Sequence, residues 1–268
     1  MPGPDDLVDI HIRAPTRGNR RLEQLLEAVN GDAQVKAWWH MAGVNAQRLG
    51  LTDHSWVHIQ IVTNIALRLG RLLFRRGITP AMVADHGMTE RDAEVTIAAA
   101  AVFHCVGMSI HRIDHETYSL FLTADKLGGL LAGIYDEPQR SIVVAEVMHA
   151  VISHRSTGRP LTVEGAIVRV ADALDMAKGR SRIPFETGRV SIHSLSAAAV
   201  EAVNIRSSGT GKVLVEIVLN NSAGLFQVDN LLKSKLHGSG LESHIEVEAD
   251  IEGETEKRLL GAFRLGSE

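Results

Sequence analysis

The chain has 268 residues, 45% hydrophobic and 22% charged, with 28 Lys and Arg against 32 Asp and Glu for a net charge of −4. That is the make-up of an ordinary globular protein, long enough to bury roughly 70–75% of its unfolded surface. It argues against wholesale nucleic-acid binding and, with a single cysteine, against a disulfide scaffold. The opening MPGPDDLVDIHIRAP is acidic and lacks an apolar core, so no signal peptide is expected. No apolar run reaches the length of a membrane span, and a reducing cytoplasm is the expected setting.

Up to about Gly179 the pattern predicts helix after helix. Leu22–Val29 and Val35–Leu49 carry apolar residues at three-to-four spacing, and His54–Arg76 places His58, Ile61, Ile65, Leu69 and Leu72 on one stripe. Thr89-Glu90-Arg91-Asp92 reads as an N-terminal cap opening a helix through Ala98–Ala101 to His104, ended by Gly107. Further helices are expected over Ser119–Leu131, Ser141–His154 and Val163–Ala177. Composition then shifts at the basic loop Lys178–Pro184. Strand-like alternation over Arg189–Ser194, a short helix at Leu195–Val200, strands at Ala202–Arg206 and Lys212–Leu219, a helix at Leu225–Leu236 and a strand at His244–Ile251 together predict a split βαβ, ferredoxin-like unit. The expected organisation is an N-terminal segment over 1–20, a helical domain over 21–183 and a small α+β domain over 184–268.

Thirteen histidines are about twice ordinary usage for this length. His58 lies on an apolar stripe. His104 and Cys105 end the most apolar helix. His111 and His115 are one helical turn apart, and the five-residue spacing of His149 and His154 turns them in different directions on a regular helix. Asp172 and Asp175, in VRVADALDM, are read as sharing a helical face with Val168 and Ala171. Buried carboxylates are costly unless paired or bound to a cation. Imidazoles and carboxylates delivered from four apolar helices are the means of building a transition-metal site.

The order of these groups resembles the HD superfamily of metal-dependent phosphohydrolases. HCVGMSIHRIDHE is similar to that family's His-Asp doublet with its following histidine helix, and ADALDM to its terminal aspartate helix. The resemblance covers about Leu51–Lys178. It implies an HD-type helical domain whose metal ligands are His58, His104, Cys105, His115, His149 or His154, and Asp172, as in members of the HD-GYP group that hold more than one ion. It implies one or two divalent ions, with iron, manganese, zinc, nickel or cobalt better suited to the imidazoles than magnesium. The family has aspartate where this chain has Cys105. A thiolate is a single soft donor, so Cys105 is either a soft ligand or a non-ligand that leaves a weakened site held by His58, His104 and Asp172.

The implied activity is phosphomonoester or phosphodiester hydrolysis on a nucleotide or another small phosphorylated molecule, by attack of a metal-activated hydroxide on phosphorus. Asp172, Arg112 and Arg155 are the expected catalytic groups, the arginines by bidentate contact with phosphate. Lys178, Arg180 and Arg182 are further phosphate candidates, while Arg68, Arg71, Arg75 and Arg76 read as a solvated helix face. The alternative is a catalytically impaired HD domain serving as a nucleotide- or metal-binding regulatory module. The exposed edges of the expected C-terminal sheet make a homodimer plausible.

Overall fold

Capping residues set most of the helix boundaries in the computed structural model, which describes residues 7, 9–155, 157–188, 191–252 and 262–265. Asn19 caps α1 (Arg20–Gly31) and Asp32 caps α2 (Ala33–Leu49). The Ser55 side chain accepts from Val57 N at the start of α3 (Trp56–Phe74). His54 therefore lies in the turn before the helix and not on it, unlike the sequence reading. A short helix, α4 (Ala81–Ala84), precedes α5 (Glu90–Phe103), which opens with the Thr89–Asp92 capping box. A 3-10 turn (Val106–Ser109) leads to α6 (His115–Leu130), α7 (Gln139–Ser153) and α8 (Val163–Leu174).

Helix α5 is the axis of the helical part. Ala98 to Ala101 are all at 0% exposure, and the small side chains let α1, α3, α7 and α8 approach it from several sides. Trp39 of α2 reaches the same helix and donates its indole N–H to the Val102 carbonyl at 3.2 Å.

Two expectations on the C-terminal side are corrected. Helix α8 stops at Leu174, and Asp175, at φ −78° and ψ 70°, leaves the helix instead of sharing the face of Asp172. No strand is found at 191–194, the described part of the strand expected at Arg189–Ser194. There Ser191 and Ser194 form a capping box that starts a helix, local bonds outweighing the alternation. Residues 189 and 190 lie outside the described residues.

After a 3-10 turn (Lys178–Ser181) come α9 (Arg182–Thr187) and α10 (Ile192–Ala198), then β1 (Val200–Ser207) and β2 (Val213–Leu219). The crossover passes through a π-helical stretch (Gln227–Leu232) into α11 (Lys233–Leu236), followed by β3 (Ile245–Ile251) and β4 (Ala262–Leu265). The four strands form a small mixed sheet in the order β1-β2-β3-β4, with β2 and β3 parallel and the outer pairs antiparallel. The connectivity is thus helix, strand, strand, helix, strand, strand. It is not the split βαβ expected, in which a helix would separate the first two strands. The sheet rests on α3, and α11 rests on α8.

Candidate metal centre

The end of α5 and the start of α6 are bolted together. Ser119 Oγ accepts from Gly107 N at 2.9 Å and donates to the His104 carbonyl at 3.0 Å. Gly107 is required there because a Cβ at that position would stand 2.0 Å from the His115 carbonyl oxygen. This close approach brings His115 back beside the His104–Cys105 pair. Asp172 arrives from α8, His58 from the first turn of α3, and His154 from the residue that ends α7.

Three imidazoles are held from behind. His58 Nδ1 donates to Asp175 Oδ2 at 2.6 Å, His104 Nδ1 to the Ala101 carbonyl at 2.7 Å, and His154 Nδ1 to the Val151 carbonyl at 2.5 Å. Arg180 Nη1 lies 2.8 Å from His58 Nδ1 but has the Asp175 carbonyl at 2.9 Å and Asp175 Oδ2 at 3.2 Å for its own protons. A histidine engaged through Nδ1–H presents a lone pair at Nε2, the arrangement found behind metal-ligating histidines. His58 Nε2 and His104 Nε2 face each other at 3.0 Å, and Asp172 Oδ1 stands 3.4 and 3.7 Å from them. Lone pairs so close repel unless a cation lies between them. Nitrogens bound at about 2.0–2.1 Å to one tetrahedral ion stand about 3.3 Å apart, so these groups could hold a metal ion.

The electrostatics agree. Burial disfavours charge on His104, yet Cys105 and Asp172 raise its pKa to about 9. For His58, burial and Arg180 push down, but Asp172, Asp175 and Cys105 prevail and hold it well above the usual histidine range. Burial would raise the Cys105 thiol, but His104 and His58 bring it down to about 6. Burial likewise opposes ionisation of Asp172, and Lys235, His104 and His58 reverse this and keep it well below the carboxylate range. Without a metal, the protons held by His58 and His104 offset the charges of Asp172 and Cys105.

The ligand atoms of His58, His104 and Cys105 lie within 4.8 Å of one another, and so do those of His115, Glu116 and His154. The two groups adjoin, with ring centroids 5.0 Å apart for His104 and His154 and 5.6 Å for His115 and His154. Burial with the Arg112 charge brings His115 down to about 4, although Glu116 opposes the shift. Burial and Lys235 hold His154 well below its usual range. Both rings are therefore neutral near pH 7.

A cavity of about 450 Å³ opens over these groups, with Arg112, Arg180 and Lys235 in its lining. His149 is turned elsewhere and accepts from Leu161 N at 2.9 Å, fastening the loop before α8. Arg155 does not line the cavity and donates to Thr117 Oγ1 at 3.1 Å. His111 is exposed and accepts from Ile113 N at 3.1 Å. Lys178 pairs with Glu201 and Arg182 with Glu186, both on the surface.

Two contributors, His54 and Lys235, escaped the sequence reading, whereas Asp175 is legible there as a residue able to orient a ligand and does so. His54, buried, has its ring 5.4 Å from that of His58 and 6.5 Å from that of His115. Its spacing of four from His58 was the available signal. Asp175 acts through His58 only because α8 ends early. Lys235 comes from the distant crossover and had no local signal.

Fold and site define a mainly helical protein with a buried histidine–cysteine–aspartate cluster, over which a small mixed-sheet unit closes. No family model matches the sequence, and no solved structure matches it. It is 37% identical over 222 residues, 82% of this chain and 86% of the relative, to the uncharacterized protein MJ1020 of Methanocaldococcus jannaschii. The chain belongs to that protein's family.

Proposed function

We propose that the helical part is an HD-type domain and that the chain is a metal-dependent phosphohydrolase, a phosphomonoesterase or phosphodiesterase acting on a nucleotide or other small phosphorylated molecule. One observation carries the reading: His58 Nε2, His104 Nε2 and Asp172 Oδ1 converge to within 3.7 Å of one another beneath a cavity lined by cations. An iron, manganese, zinc, nickel or cobalt ion held by them would supply a Lewis acid that acidifies water near neutral pH.

The chain's own residues do the rest. Asp175 fixes the ring of His58, and the Ala101 carbonyl fixes that of His104. Arg112 and Arg180 offer planar donors to phosphate oxygens. Arg180 also ties Asp175 to the 50–54 turn, since its carbonyl accepts from Asp53 N at 3.0 Å. The small unit closes the cavity with His193, Gln227 and Lys235, and so bears on substrate size. Cys105 is buried and is the only cysteine of the chain, which suits a reducing cytoplasm. No described helix is long and apolar enough to cross a membrane. Homodimerisation through the exposed edge of β1 is part of the proposal, and a monomeric mass by light scattering would remove it.

Cys105 favours a second reading, a regulatory module that binds nucleotide or metal without turnover. Elemental analysis of protein purified without chelators, with turnover assays on generic phosphoesters and nucleotides in manganese, iron or nickel, separates the two. The hydrolase reading expects metal and turnover in the wild type and loss of both in His104→Ala. Activity that emerges only in Cys105→Asp supports the regulatory module. Metal in neither protein overturns the site.

A further inference from the structure

Lys235 is an unusual occupant of a metal pocket. It is 7% exposed and reaches the cluster from α11 in the small unit. Its Nζ stands 3.3 Å from Asp172 Oδ2 and donates to the His154 carbonyl. Asp172 is thereby divided: Oδ1 faces His58 and His104, and Oδ2 faces a fixed ammonium.

The placement is built into the backbone. Arg169 of α8, 2% exposed, donates to the carbonyls of Lys235 at 2.8 Å and Ser234 at 3.1 Å. It also reaches the Ser153 and Arg155 carbonyls flanking His154. One guanidinium thus locks the end of α7 to the end of α11. A buried ammonium survives only with partners, and here they are a carboxylate and a carbonyl at the border between the two ligand groups. Lys235 also acts electrostatically on Glu116 and His154, two of the three members of the second group.

Two ions about 3.5–4 Å apart are most readily shared by a carboxylate, whose two oxygens reach one ion each. Asp175 is turned to the far nitrogen of His58, and Cys105 brings one sulfur where a carboxylate would bring two oxygens. The oxygen of Asp172 left to reach a second ion is the one that Lys235 holds.

We propose that the pocket takes one divalent ion, at His58, His104 and Asp172, and that the ammonium of Lys235 stands in the second cationic position, beside His115, Glu116 and His154, where it receives the phosphate. The inference rests on the metal-dependent reading above.

The test is manganese stoichiometry of the full chain by equilibrium dialysis and elemental analysis, beside turnover. The wild type is expected to hold one ion per chain. Lys235→Met keeps the aliphatic stem and removes the charge. It is expected to hold two ions and to lose turnover about 100-fold at low manganese, with partial recovery at high manganese. Lys235→Arg is expected to keep one ion and most of the activity. Two ions in the wild type overturn the inference whatever the variants do, while the metal-dependent reading stands. One ion in both the wild type and Lys235→Met overturns the claim that the ammonium holds the second position. No ion in any of them overturns this inference and the metal centre together. One ion in the wild type and two in Lys235→Met without hydrolysis of any phosphoester sinks the hydrolase reading and leaves the cation assignment intact.

Discussion

Asp175 Oδ2 accepts a hydrogen bond from His58 Nδ1 at 2.6 Å, joining positions 117 apart in sequence. The bond sets the ring angle of His58 and leaves Nε2 as its free donor atom. Replacing the carboxylate by an amide weakens both effects without emptying space. Asp175→Asn is expected to lower metal affinity by about 10- to 100-fold. Competition titration against a chromophoric chelator reads this, and unchanged affinity would show that His58 is held by packing alone.

Metal binding should strengthen with pH. In the metal-free chain Cys105 and Asp172 overcome burial and raise His104 to about 9, and His58 is raised as well. Below that pH an incoming ion must displace the His104 proton, so apparent affinity is expected to climb as pH rises from 6 towards 9. The slope is about tenfold per pH unit for each proton released. Isothermal titration in buffers of different ionisation enthalpy counts those protons, and a flat profile would contradict the cluster's assigned charge.

Gly107 is where the two histidine-bearing helices touch. An added Cβ meets the His115 carbonyl at 2.0 Å and Ser119 N at 2.5 Å, both backbone atoms that cannot swing aside. Gly107→Ala is expected to cost about 3 kcal/mol and to displace His115 from the site. Urea unfolding gives the first effect. Spectroscopy of the cobalt-substituted protein gives the second.

Asp92 anchors α5 far from the chemistry. It is 1% exposed, forms the capping box with Thr89, accepts from Tyr135 Oη at 2.8 Å and pairs with Arg21 at 2.6 Å. Burial opposes its ionisation, but bonds from Thr89, Tyr135 and Arg21 leave its pKa below 3.8. A depressed carboxyl contributes stability that is present above its unfolded pKa and lost as pH falls through the folded one. Asp92→Ala is expected to lose about 2–4 kcal/mol near pH 7 through the cap and the stranded Tyr135 hydroxyl. The deficit should shrink in melts taken below pH 3.8. A deficit that stays constant with pH would place the effect in packing alone.

Periodicity and caps made the order of the long helices legible in the sequence, though not the short α4 or the ends at His54 and Asp175. Thr89 through Asp92 and the alanine run specify α5 through short-range bonds and side-chain size, but the helix ends at Phe103, before Gly107, which instead serves the close approach of α6. His58, His104, His115, His154 and Asp172 were legible as candidates because imidazoles and a carboxylate on apolar faces call for a cation. Tertiary structure decided which of them meet. His149 and His154 differ only by which side of α7 they leave, and α7 turns His149 to the loop at Leu161. Asp175 joins His58, 117 positions away, because α8 stops one residue before it, and Arg180, five residues on, donates to the carbonyl left there. The first C-terminal strand failed because Ser191 and Ser194 offer local bonds that alternation does not weigh. Lys235 lies 63 positions from Asp172, and only the docking of α11 on α8, clamped by Arg169, carries its charge into the pocket.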